Sequence, residues 1–86
     1  MSLRNAIFTV YDWHRLPETI RNLLQPPKYA ERAVSHLCPG LRFWPDRRDA
    51  SRLRSCEVRW HATGLAYETL ESLGCSFDFK YEPWEH

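Results

Sequence analysis

Apolar and polar positions alternate with two different periods along the chain. In "NAIFTVYDW", residues 5–13, Ile7, Phe8, Val10 and Tyr11 put apolar groups on both faces, which predicts a central strand. "RLPETIRNLL", residues 15–24, changes to a helical period. Pro17 suits a helix start, Glu18 favours its positive end, and Leu16, Ile20, Leu23 and Leu24 form the apolar stripe. Pro26 and Pro27 break this helix. A second helix is expected from Pro27, with Ala30, Ala33, Val34 and Leu37 on one face, until Cys38-Pro39-Gly40 stops it.

"LRFW", residues 41–44, reads as a short strand with Leu41 and Phe43 on one face and Trp44 on the other. "SCEVRWH", residues 55–61, alternates with Cys56, Val58 and Trp60 expected inward and Glu57, Arg59 and His61 outward. A helix from about Thr63 to Leu73 turns Leu65, Ala66, Leu70 and Leu73 inward and ends at Gly74. "CSFDFKYE", residues 75–82, is the clearest strand. Cys75, Phe77, Phe79 and Tyr81 take one face, and Ser76, Asp78, Lys80 and Glu82 take the other.

The expected order is strand, helix, helix, strand, strand, helix, strand. With the early helices as one layer, this is the β-α-β-β-α-β pattern of a ferredoxin-like α+β sandwich. Its four-stranded antiparallel sheet would have the order 4-1-3-2, with the helices on one face.

Length changes this picture little: 86 residues make one small domain over 1–86. Four Trp, four Phe and four Tyr supply bulk for a core that must be efficient at this size. No apolar run is long enough for a transmembrane helix, and the first residues lack a signal-peptide apolar stretch. Three cysteines, Cys38, Cys56 and Cys75, cannot all pair within one chain. A cytoplasmic protein with reduced, buried thiols and no membrane partner is the expectation.

Charge matters more. Net charge is only +1, but residues 28–59 carry eight basic against four acidic side chains, while residues 60–86 carry one against five. A chain polarised in this way suits a charged partner, or self-association of unlike patches in a homodimer.

"RFWPDRRDASRLR", residues 42–54, concentrates the basic charge beside Trp44. Residues 45–54 are expected to be a hairpin loop, longer than most. Arg47, Arg48, Arg52 and Arg54 there could contact nucleic acid, although Asp46 and Asp49 cancel part of the charge. The bland alternative is a local turn with Asp–Arg pairs such as Asp49 with Arg52. The outward side chains of the last two strands contain no aromatic ring, and the aromatic glycine-rich motif of RNA-recognition domains is missing.

His36, Cys38, Cys56 and His61 are ligand types that zinc accepts, but the spacing matches no compact knuckle, so no metal and no cofactor are expected. The sequence holds no nucleophile elbow, phosphate-binding glycine loop or paired-histidine zinc motif. Cys75, just past a helix end, is read as inert. Asp12 closes the first strand in "VYD", residues 10–12. These three residues and the domain size resemble the small CRISPR-associated nucleases of ferredoxin-like fold. That resemblance implies metal-dependent cleavage by a dimer that brings two Asp12 together. It reaches no further residues. The alternative for Asp12 is a set of bonds to backbone amides in the turn.

Trp13, Trp44 and Trp84 do not share one core face, and Trp and Arg are the side chains most enriched at binding hot spots. The leading expectation is therefore a small non-enzymatic protein–protein interaction module, an inhibitor or regulator of a larger protein. Its binding residues would be Trp13, Trp44, Arg47, Arg48, Arg52, Arg54 and Trp84. Nucleic-acid binding by the arginine loop is the first alternative, and the Asp12 nuclease is the second.

Overall fold

The computed structural model describes residues 4–29 and 32–83. The first strand, β1 (Arg4–Tyr11), is followed by a short 3-10 turn and helix α1 (Glu18–Leu24). Further along the described residues come a 3-10 turn (Val34–His36), β2 (Phe43–Pro45) and β3 (Leu53–Ser55), then β4 (Val58–Arg59), helix α2 (Thr63–Ser72) and β5 (Ser76–Pro83). The described residues form an α+β domain: one antiparallel sheet of five strands with two helices.

β1 and β5 pair along their whole length, from Arg4 against Pro83 to Tyr11 against Ser76. This register puts Ala6, Phe8 and Val10 on the same face as Tyr81, Phe79 and Phe77. The Phe8 and Phe79 rings stack with centroids 5.2 Å apart. Phe8 is fully buried, and covering a ring of that size stabilises the fold by about 1.5–3 kcal/mol. Leu24 from α1 and Ala66 and Leu70 from α2 join the same core cluster, so both helices serve one face of the sheet.

The remaining strands depart from expectation, and one insertion explains why. β3 meets β1 at Val10–Leu53 and Thr9–Arg54, whereas β4 meets β1 at Ala6–Val58 and Asn5–Arg59. Between these pairings β1 has Ile7 and Phe8, while the opposing segment has Ser55, Cys56 and Glu57. The extra residue is a β-bulge, and it shifts which side chains face inward. Leu53, Ser55 and Val58 are buried; Cys56 is only half-buried and Trp60 is 58% exposed. The expected single strand over 55–61 is thus two short strands and a 3-10 turn at Trp60–Ala62. The strand order β2-β3-β1-β4, with β5 on β1, accordingly differs from the four-strand order expected.

Side-chain bonds hold the bulge. The buried Phe8 amide donates to Ser55 Oγ at 2.9 Å, which replaces a missing ladder carbonyl. Ser55 Oγ–H donates onward to the Cys56 carbonyl, and the Cys56 amide donates to the Arg42 carbonyl at 2.8 Å.

The described part of 27–37 holds no α-helix, only a 3-10 turn, Val34–His36. Ala33 before it is extended, with φ −129° and ψ 167°, which breaks the expected helical run. Val34 and Cys38 are buried there, whereas Leu37 is half-exposed. Ala30 lies outside the described residues. In α2, Leu65 also faces solvent rather than the core. Gly74 ends that helix as expected, with φ 77° and its amide donating to the Glu71 carbonyl.

Candidate interaction site around Trp44

The β2–β3 connection is shorter than the expected 45–54, because β3 already begins at Leu53 and only residues 46–52 form the loop. Its shape follows from two aspartates. Asp46 accepts the Arg48 amide, and Asp49 accepts both the amide and the hydroxyl of Ser51. These are turns that short acidic side chains favour. The hydrogen bonds from Ser51 hold the Asp49 carboxyl below the usual carboxylate range. Both aspartates also pair with one arginine: Arg52 reaches Asp46 at 3.4 Å and Asp49 at 3.7 Å.

One cation therefore serves two anions at the base of the loop. Arg47 and Arg48 are exposed at its tip with no ion-pair partner among the described residues. The loop is braced from the other side by Trp13, whose Nε1–H donates to the Ala50 carbonyl at 3.0 Å. Trp13 is half-buried against the core, so it positions the loop.

Trp44 stands on the sheet face away from the helices. The register aligns Trp44 with Arg54, Arg54 with Thr9, and Thr9 with Asp78, one row across that face. Trp44 is 54% exposed, and Arg54 makes a loose 3.5 Å pair with Glu82. Tyr11 shares the face and donates its hydroxyl to Asp78 at 2.6 Å. That bond, then burial and the Asp78 charge, raise the Tyr11 pKa. The open face therefore carries two aromatic side chains, Tyr11 and Trp44, where the last two strands alone offered none. The signal was present in the sequence, in the strand parity of Tyr11 and Trp44.

Trp44, Pro45, the loop arginines Arg47, Arg48 and Arg52, and Arg54 of β3 line a depression of ≈ 550 Å³. A second depression of ≈ 280 Å³ follows on the open face, with Ile7 among its lining residues and Arg54 common to both. Of the seven residues expected to bind, the structure gathers Trp44, Arg47, Arg48, Arg52 and Arg54 in one place. Trp13 lies behind them, and Trp84 lies outside the described residues.

The other candidates do not assemble into sites. Asp12 sits in a left-handed conformation, φ 50°, and its side chain caps no amide of the following turn. Among the described residues no three His, Cys, Asp or Glu side chains converge as a metal site would need. His36 and His61 are exposed, whereas Cys38 is buried. Burial pushes the Cys38 thiol up, and it pushes Cys75 up to about 11. For Cys75 the upward shift comes from burial, where the expectation had looked to the neighbouring helix end. No helix among the described residues is long and apolar enough to cross a membrane.

The chain matches no protein-family model, no curated protein sequence and no solved structure.

Proposed function

We propose that this chain is a small protein–protein interaction module, an inhibitor or regulator of a larger partner, that docks through Trp44 and the arginine loop. One observation carries the reading: an exposed Trp lies beside a loop whose two acids share Arg52, while Arg47 and Arg48 stand exposed with no ion-pair partner among the described residues. A partner with an apolar slot for the indole and carboxylates around it would complement this patch. Trp and Arg dominate binding hot spots because each covers a large area while forming few, directional polar contacts.

Trp44→Ala and the double variant Arg47→Ala/Arg48→Ala test it in comparative pull-downs from the native host. Both are expected to lose the wild-type partner while keeping the wild-type melting temperature. Unchanged capture by both variants would remove the proposed face.

A second reading has its own support. Arg47 and Arg48 are exposed and unpaired among the described residues, the loop keeps three arginines against two aspartates, and Trp44 offers a stacking surface. Nucleic-acid binding through this patch predicts affinity that falls steeply as salt rises. Gel-shift titrations at low and moderate salt decide it: the absence of any shift at low salt ends the idea.

We also infer a ferredoxin-like arrangement with a bulged third strand. In support, β5 occupies one edge of β1 throughout, so β3 and β4 share the other edge in sequence. The free thiols of Cys38, Cys56 and Cys75 agree with a reducing, cytoplasmic location.

A further inference from the structure

The outer edge of β5 is unpaired among the described residues, since β5 pairs with β1 alone. Its backbone geometry follows from one bond. The Phe8 amide points toward Ser55 on β3, hence away from β5. Phe79, directly opposite Phe8, therefore also points its N–H and C=O away from β1, and strand alternation extends this to Phe77 and Tyr81. Three amides and three carbonyls face outward along an 8-residue strand. Such an edge is a template for another strand.

The side chains of β5 select the occupant. On the open face they read Asp78, Lys80, Glu82, alternating in sign. On the core face Phe77 and Phe79 are half-buried and Tyr81 is 44% exposed, and Tyr67 of α2, 42% exposed, packs edge-on against Phe77 at 5.1 Å. The edge thus presents a partly uncovered aromatic strip. Charges on an edge strand ordinarily discourage pairing. Here an antiparallel second copy centred on Phe79 places Asp78 opposite Lys80 of the other copy, twice. The neighbouring registers that keep both core faces on one side set Lys80 against Lys80, or Asp78 against Asp78.

We propose that β5 pairs with β5 of a second copy, in the antiparallel register that centres on Phe79. Phe77, Phe79 and Tyr81 of each copy supply the inter-chain backbone bonds. Asp78 and Lys80 then fall at non-hydrogen-bonded pairs, where cross-strand side chains come closest. The aromatic strips join as Phe79 on Phe79 and Phe77 on Tyr81. The two sheets become one, with both Trp44 faces on the same side and at opposite ends. The two Asp12 residues end roughly 27 Å apart along the strand direction at about 3.4 Å per residue, so this dimer builds no shared carboxylate site.

Sedimentation velocity over about 1–500 µM, with circular dichroism as the folding control, tests the pairing. Wild type is expected to dimerise with concentration. Lys80→Glu leaves the Tyr11–Asp78 bond in place and should weaken the dimer roughly tenfold or more, because two attractive pairs become repulsive. Asp78→Lys should do the same. An equimolar mixture of folded Asp78→Lys and Lys80→Glu chains should recover a dimer, since each supplies the charges the other needs. A wild type that stays monomeric at every concentration overturns the proposal. So does an Asp78→Lys dimer as tight as wild type, or a mixture of the two folded variants that does not associate.

Discussion

At β2 the outward carbonyl of Phe43 accepts a hydrogen bond from the Gln25 side-chain amide. At β5, on the opposite side, Phe77, Phe79 and Tyr81 hold their backbone groups toward solvent. The β2 side is irregular, cationic and stitched by side chains: Ser55 to Phe8, Asp46 and Asp49 to the loop, Trp13 to Ala50. The β5 side is one unbroken ladder with aromatic packing. The two sides thus differ in how they are held and in what they present. The ladder is the longest paired stretch and carries the Phe8–Phe79 stack, whereas the stitched side adds Leu41, Phe43 and Leu53 to the core and presents exposed charge on a braced loop.

That contrast can be attacked from its strongest point downward. Phe8→Ala removes the ring at the centre of the ladder and should cost about 3–5 kcal/mol, read by chemical denaturation. A cost below about 1 kcal/mol would show that the ladder is not a main source of stability. Ser55→Ala is next. It leaves the buried Phe8 amide without its partner and should cost about 1–3 kcal/mol. A neutral Ser55→Ala would mean that the bulge does not depend on that hydroxyl.

The smallest effect concerns Tyr11, which ties the open face of β1 to β5 through Asp78. Its pKa is raised in the folded state, so the folded protein holds that proton more tightly than the unfolded chain. The associated stability is complete below the ordinary tyrosine range and disappears as pH rises through the folded value. Denaturation midpoints of wild type and Tyr11→Phe should therefore differ more at pH 8 than at the alkaline end. Parallel pH profiles for the two would contradict the bond.

The same two sides differ in how far the sequence reveals them. β5 was legible because both its faces keep a strict alternation over 75–82, and nothing interrupts the ladder with β1. β1, α1, α2 and the Gly74 cap were legible for similar reasons: period, a proline start and a glycine stop. Residues 55–61 misled for two reasons: one inserted residue gives Ser55 the inward place expected of Cys56, and the strand stops at Arg59, so Trp60 falls in a 3-10 turn and is exposed. A bulge leaves no mark in a hydrophobic pattern when a serine fills it. The expected helix over 27–37 misled because Ala33, Val34 and Leu37 carry a helical period while the backbone at Ala33 is extended and only a 3-10 turn follows. Around the candidate site, Trp44, Arg47 and Arg48, singled out from composition, line one depression. The role of Trp13 was hidden, since a brace on a loop 37 residues away has no local signature.

Amide hydrogen exchange along β5, followed residue by residue by NMR in dilute and concentrated protein, probes the contrast between the two edges most directly. Asp78, Lys80 and Glu82, whose amides bond β1, should be protected at all concentrations. Phe77, Phe79 and Tyr81 should exchange quickly when dilute and become protected on concentration. Uniform protection of all six in dilute protein would mean that the β5 edge is already covered, and the account of an open edge would be wrong.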